Sequence, residues 1–115
     1  MANVTTTEVH ADIGLAFSTI EGTTTTIIKR LIVRGQSIVR NITGTTTGSN
    51  QDEAIRAISD LLSVRNAKSN LDPNKDNIES YEAMESSFKM EANNALRLLG
   101  RSLDGIKIQF VEINP

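Results

Sequence analysis

The feature that most constrains this 115-residue chain is a run of regularly spaced positions in its C-terminal third. It starts at Ile78 and repeats at steps of 3, 4, 3, 4, 3 and 4 residues up to Leu99, with one polar intrusion at Glu85. This spacing places side chains on one face of a helix, in a heptad-like seam. We therefore predict a long amphipathic helix over residues 73–104. Its apolar seam and flanking positions are Ile78, Tyr81, Met84, Phe88, Ala92, Ala95, Leu99 and Leu103.

A second apolar stripe of helical period runs through residues 9–42 and includes Ile27, Leu31 and Ile38. It predicts a long helix over residues 8–43, after a flexible N-terminus of residues 1–7. Local propensity opposes this interpretation, because residues 23–28 are all β-branched and Gly22 and Gly35 both disfavour a helix. A strand at 23–33 is the alternative.

Between these stripes, small polar residues and two glycines predict a loop at 44–50, followed by a shorter helix at 51–70. The tail, residues 105–115, has two interpretations. Its apolar residues continue the helical spacing, but Ile106, Ile108 and Phe110 also alternate as in a strand at 104–113.

The predicted fold class is all-α, a single domain of three helices, with a short C-terminal strand as the variant. The acids-first, bases-last order of charges in each segment supports three helices.

The oxygen-rich residues 72–81 have the spacing of the first half of a calcium-binding EF-hand loop. Counted from Asp72, however, the sixth residue is Asn77 where that loop needs glycine, and the twelfth is Ala83 where it needs glutamate. We interpret Pro73 and Asp76 as residues of a helix start instead.

Side chains that could perform catalysis are scarce. There is no cysteine and one histidine, His10, so no thiolate or paired-histidine metal site can form. No motif supplies a nucleophile with its base. We predict no catalytic residue, no metal site and no cofactor, and hence a protein that is not an enzyme.

The basic residues Lys29, Arg30, Arg34 and Arg40 form one patch, but the formal net charge is −2 and no aromatic residues are interleaved with them. This disfavours nucleic acid as the partner. We expect these residues to make ionic contacts with an acidic surface, within the chain or between copies. The predicted acidic residues are Glu79, Glu82 and Glu85.

No apolar run is long enough for a membrane span, and the N-terminal residues lack the basic and apolar regions of a cleavable signal peptide. Two long helices and one short one cannot bury all three apolar stripes within one chain. We therefore expect a homo-oligomer, with the residues of the seam and of the second stripe as assembly contacts.

Residues 72–106 resemble the C-terminal part of the needle, inner-rod and rod subunits of type III secretion systems and flagella. The shared features are the loop Asp72-Pro73-Asn74 and a spaced pattern along the following helix, made by Tyr81, Ser86, Phe88, Met90, Asn93, Leu99, Leu103 and Ile106. The resemblance implies a C-terminal helix in the inner layer of a helical tube and a secreted or cell-envelope location among other proteins of an assembly. A cytoplasmic location is the alternative. The expected function is a self-assembling structural subunit; a helical adaptor with a basic patch for a protein or nucleic acid is the alternative.

Overall fold

The computed structural model describes residues 4–14, 25–69 and 78–99, and its regular structure within these ranges is entirely helical. Four helices are present there: α1 is Thr6–Ile13, α2 is Thr25–Thr43, α3 is Ser49–Ser69 and α4 is Ile78–Leu98. The all-α fold class is confirmed, and these ranges contain no strand. The predicted count of three helices is wrong, because the first predicted helix is interrupted.

The interruption occurs at Gly14, where α1 ends. Gly14 has a φ of 42°, which side chains rarely allow, and its N–H donates to the carbonyl of His10 at 2.9 Å. The apolar stripe does not reveal this break, since Val9 and Ile13 are both buried on the α1 side of it. Residues 15–24 lie outside the described ranges.

Helix α1 begins at Thr6, two residues before the predicted start, and its N-cap is Thr5. The Thr5 hydroxyl accepts a hydrogen bond from the Glu8 N–H at 3.2 Å, and the Thr5 N–H donates to Glu8 Oε1 at 3.0 Å. This reciprocal pair is a capping box, which satisfies two backbone donors that the first helical turn leaves open. Residues 5–7, predicted to be flexible, therefore belong to the cap and the first turn.

Residues 25–33 are helical in α2, so the strand alternative is wrong for that range. The reason is tertiary burial, because helix packing outweighs the weak preference of β-branched residues for strands. One face of α2 enters the core through Ile28, Leu31, Ile32, Gly35, Ile38 and Val39.

Gly35 allows α2 to approach α3 closely. A Cβ added at Gly35 would lie 3.1 Å from the Ser59 hydroxyl oxygen and 3.3 Å from the Ile55 carbonyl oxygen. Both distances are tighter than ordinary van der Waals contact, so this position accommodates a side chain only if the neighbouring atoms of α3 give way.

Helix α3 lies at the centre and contacts α1, α2 and α4. A helix surrounded in this way is buried on nearly all sides, and α3 buries polar as well as apolar side chains. Its bounds agree with the predicted 51–70 to within two residues. The buried residues of α3 are Ala54, Ile55, Ala57, Ile58, Ser59, Asp60, Leu61, Leu62, Ser63, Val64 and Ala67.

Helix α4 packs against α3 and buries Tyr81, Ala92, Ala95 and Leu96. It ends at Leu98, and the Leu99 N–H donates to the Leu96 carbonyl at 2.9 Å in a closing turn, before the predicted end at 104. The predictions for residues 70–77 and 100–115, including the calcium-loop question and the C-terminal strand, lie outside the described ranges. Within those ranges, no helix has the length and hydropathy of a membrane span.

Candidate functional site

Arg56 on α3 connects two acidic residues of α1. Its Nε lies 2.7 Å from Asp12 Oδ2, its Nη2 2.8 Å from Asp12 Oδ1, and its Nη1 3.1 Å from Glu8 Oε2. The contact with Asp12 is bidentate, the geometry in which a guanidinium and a carboxylate bind most strongly. Arg56 therefore holds α1 on α3 and fixes the orientation of the Asp12 carboxylate.

One turn further along α3, the side chain of Asp60 is buried, with only 3% of its surface exposed. Its carboxyl is hydrogen-bonded to that of Asp12. Its Oδ1 atom, however, has no hydrogen-bond partner. Buried polar atoms almost always have one, so this acceptor is an exception that needs an explanation.

The two carboxyls have pKa shifts in opposite directions. Burial, followed by the hydrogen bond and charge of Asp12, raises the pKa of Asp60 to about 10. The hydrogen bond from Arg56 lowers the pKa of Asp12, although partial burial opposes this effect. At neutral pH the pair therefore shares one proton, which resides on Asp60, and Asp12 carries the negative charge.

A cavity of about 680 Å³ opens beside these groups, between α1, α3 and α4. We call it the Asp60 cleft. Its lining combines acidic and basic side chains with an apolar wall. The lining residues are Asp12, Glu53, Arg56, Ala57, Asp60, Phe88, Glu91, Asn94, Ala95, Arg97 and Leu98.

The lining of the Asp60 cleft is dominated by charged side chains. It offers four carboxyl groups, of which Asp60 is protonated and Asp12 ionised at neutral pH, and two guanidinium groups, with no hydroxyl or imidazole among its lining residues. Among the described residues, no cluster of histidine and acidic side chains has an arrangement that could hold a metal ion. This chemistry suits the recognition of a charged or hydrogen-bonding ligand.

The predicted assembly contacts lie mostly against other helices of the same chain. Those that are buried are Leu31, Ile38, Tyr81, Ala92 and Ala95, and those partly buried against the core are Ile27, Met84, Phe88 and Leu99, with Ile78 half-exposed. Leu103 lies outside the described ranges. Contact of these residues with a second copy remains a prediction.

The predicted ionic residues of α4 pair with α3. Glu85 accepts hydrogen bonds from Arg65 Nε at 2.7 Å and from Lys68 Nζ at 2.8 Å, and Glu82 lies 3.8 Å from Lys68. Burial alone would raise the pKa of Glu85, but these two hydrogen bonds outweigh it and the net shift is downward. Neither Arg65 nor Lys68 was among the predicted ionic contacts.

The predicted basic residues lie on α2, on a different part of the molecule. Lys29 and Arg30 are exposed and Arg34 is half-buried, while Glu79 is exposed on α4. The structure of one chain therefore brings Glu82 and Glu85 to basic partners on α3, and it leaves the predicted basic patch at the surface of α2.

The sequence reasoning missed Asp60, and also Arg56. A signal was present, since Asp60 is the one charged residue between Ala57 and Val64, a stretch rich in apolar residues. A carboxyl among the apolar residues of a buried helix is expected to face the core or a cleft. For Arg56, no sequence signal identifies a partner that lies 44 residues away in the chain.

Comparison with known proteins gives no match to a family model, to a curated protein or to a solved structure.

Proposed function

We propose that this protein is a non-enzymatic structural subunit that self-assembles head to tail into a helical or tubular assembly, as in a secretion-system or flagellar rod. The observation that carries the proposal is the separation of charge between two helices on different sides of α3. Helix α2 is uniformly basic and the first half of α4 is uniformly acidic.

The basic face consists of Lys29, Arg30, Val33 and Arg40, which are exposed along α2. This helix contains no acidic residue, so nothing within it neutralises these charges. Val33 is 58% exposed among them. An apolar side chain surrounded by charges of one sign is suited to an interface with an oppositely charged surface.

The acidic face consists of Glu79 and Glu82 in the first half of α4, where no basic residue precedes Lys89. Glu79 and Glu82 are exposed, and the Glu82 contact with Lys68 is long. Further along this helix Met90 is 66% exposed. The acidic face thus offers carboxylates to the basic face of another copy.

The positions of the two faces favour open growth. Helices α2 and α4 each pack on α3 and have little contact with each other, so the two faces lie on separate parts of the fold. A contact between unlike faces of two copies is heterologous, and such contacts build rings or filaments rather than closed two-fold dimers. The resemblance of residues 72–106 to needle and rod subunits is a second, independent support.

Light scattering over a wide range of protein concentration, with negative-stain images, tests the proposal. We expect the mass to grow with concentration at low salt and to fall as salt is added, because exposed charges are screened. Lys29→Glu/Arg30→Glu and Glu79→Lys/Glu82→Lys should each abolish growth alone. Combining both reversals in one chain should restore it.

A small mass that stays constant at every concentration and salt level would refute self-assembly. The basic face would then support the second candidate, a helical adaptor that binds a protein or nucleic acid through Lys29, Arg30 and Arg34. That function requires salt-sensitive binding by the monomer, which Lys29→Glu/Arg30→Glu should weaken.

A further inference from the structure

We propose that the Asp60 cleft binds a small organic cation, an alkylammonium whose ammonium group donates to Asp60 Oδ1 and whose hydrocarbon part lies on the apolar wall. The site is formed within one chain and does not depend on self-assembly. The proposal rests on the unpartnered acceptor, the charges of the lining, and the size and composition of the cleft.

Asp60 Oδ1 is the anchor of the site. This oxygen is buried and without a partner, although Asp60 lines the cleft. A buried acceptor without a partner has lost its hydrogen bonds to water, and this loss destabilises the folded protein. A ligand donor that binds the acceptor would replace those hydrogen bonds. An ammonium group carries three donors and could reach the neighbouring carboxylate of Asp12 as well.

The charges around the cleft select a cation over an anion. Four carboxyl groups line it, contributed by Asp12, Glu53, Asp60 and Glu91, against two guanidinium groups, and Asp60 is protonated until the ligand binds. The Arg56 guanidinium is already bound to Asp12 and Glu8, so its donors are directed toward α1. The second guanidinium, that of Arg97, belongs to an exposed residue, where solvent screens its charge.

The apolar wall of the cleft favours a ligand that carries a hydrocarbon part beside its ammonium group. Phe88 is half-buried and Leu98 is 64% exposed, and both line the cleft with Ala57 and Ala95. Hydrocarbon in contact with these side chains is removed from water, and a cation near the Phe88 ring gains a further electrostatic attraction. The volume of about 680 Å³ is in the range of small-molecule sites.

Binding should release a proton. The neutral Asp60 carboxyl would ionise when an ammonium contacts it, so affinity should rise with pH, by up to about tenfold per pH unit. The charged groups facing Asp60 are Asp12 and Glu8 on α1, Arg56 and Glu53 on α3, and Glu91 and Arg97 on α4. Among these groups, the hydrogen bond from Arg56 lowers the pKa of Asp12, so the Asp12 carboxylate stays ionised across neutral pH.

The test is an NMR titration of the ¹⁵N-labelled full chain with n-pentylammonium, with 1-pentanol as the uncharged analogue. We expect saturable shifts confined to amides around the cleft on α3 and α4, and binding of 1-pentanol weaker by about tenfold or more. Repeating the titration at about pH 6 and about pH 8 should show the rise in affinity.

Two variants locate the contact. Asp60→Asn should weaken n-pentylammonium binding by about tenfold or more and remove its pH dependence, because the amide cannot ionise. Asp52→Asn makes the same acid-to-amide change at a residue that does not line the cleft and should leave binding unaltered. Absence of saturation, equal binding of 1-pentanol, or unchanged affinity in Asp60→Asn would each overturn the proposal.

Discussion

Replacing Asp60 with asparagine should stabilise this protein at neutral pH, although most substitutions of buried residues destabilise. The Asn amide can donate to Asp12 as the protonated carboxyl does, so the hydrogen bond between α1 and α3 is kept. The difference lies in the unfolded chain, where the aspartate ionises and the asparagine does not. At pH 7 the wild-type chain must take up a proton at Asp60 when it folds.

The magnitude follows from the shift of the Asp60 pKa from 3.8 to about 10. The raised pKa means that the folded chain binds more protons than the unfolded chain between these values, so wild-type stability falls as pH rises through this window. The slope is about 1.4 kcal/mol per pH unit, so over the roughly three units between the unfolded pKa and pH 7 we expect Asp60→Asn to be more stable by up to about 4 kcal/mol. The gain should vanish near pH 3, where Asp60 is protonated in both states.

Urea unfolding followed by circular dichroism, repeated across the pH range, measures this difference directly. Glu82→Gln is the matched control, since the Glu82 side chain is 56% exposed and its contact with Lys68 is long. Its stability relative to wild type should stay nearly constant with pH. A pH-independent difference between Asp60→Asn and wild type would refute the argument, because it would mean that Asp60 is ionised in the folded protein.

Three further substitutions test the packing, the cap and the ion pair. Gly35→Ala should destabilise by about 1–3 kcal/mol through overpacking, and Ser59→Ala should relieve part of this loss in the double variant, measured by urea unfolding. Thr5→Val should cost about 1 kcal/mol and speed amide hydrogen exchange at Glu8, because the capping box is lost. Glu85→Gln should cost about 1 kcal/mol at pH 7, and this difference should disappear as pH falls below the lowered pKa of Glu85, where the wild-type ion pair is lost.

Each of these three expectations has an opposite outcome that would contradict it. A gain in stability for Gly35→Ala would show that helix propensity outweighs the close approach of α2 to α3. Unchanged exchange in Thr5→Val would mean that the first turn of α1 is held by tertiary contacts. A stability difference for Glu85→Gln that persists in acid would show that packing, not charge, is the source of the Glu85 contribution.

The positions of the helices depend mainly on the local spacing of apolar residues. They are the feature of the fold that the sequence predicted best. The bounds of α3 and the placement of α4 on residues 78–98 follow from apolar periodicity, because a helix forms where one face can be buried. The helical state of residues 25–33 also follows from that period, once burial is weighed against β-branching. The end of α1 at Gly14 could not be predicted in this way, because the apolar spacing of the sequence continues past Gly14.

The Asp60 cleft is a product of tertiary structure. Asp12 and Arg56 lie 44 residues apart, and only the packing of α1 on α3 brings the guanidinium onto the carboxylate. The same packing buries Asp60 and raises its pKa, since desolvation depends on what surrounds a side chain and not on its neighbours in sequence. By itself the sequence determined that this chain is helical and where most helices lie; the arrangement of those helices around α3 decided which charges meet, which are buried, and which remain at the surface.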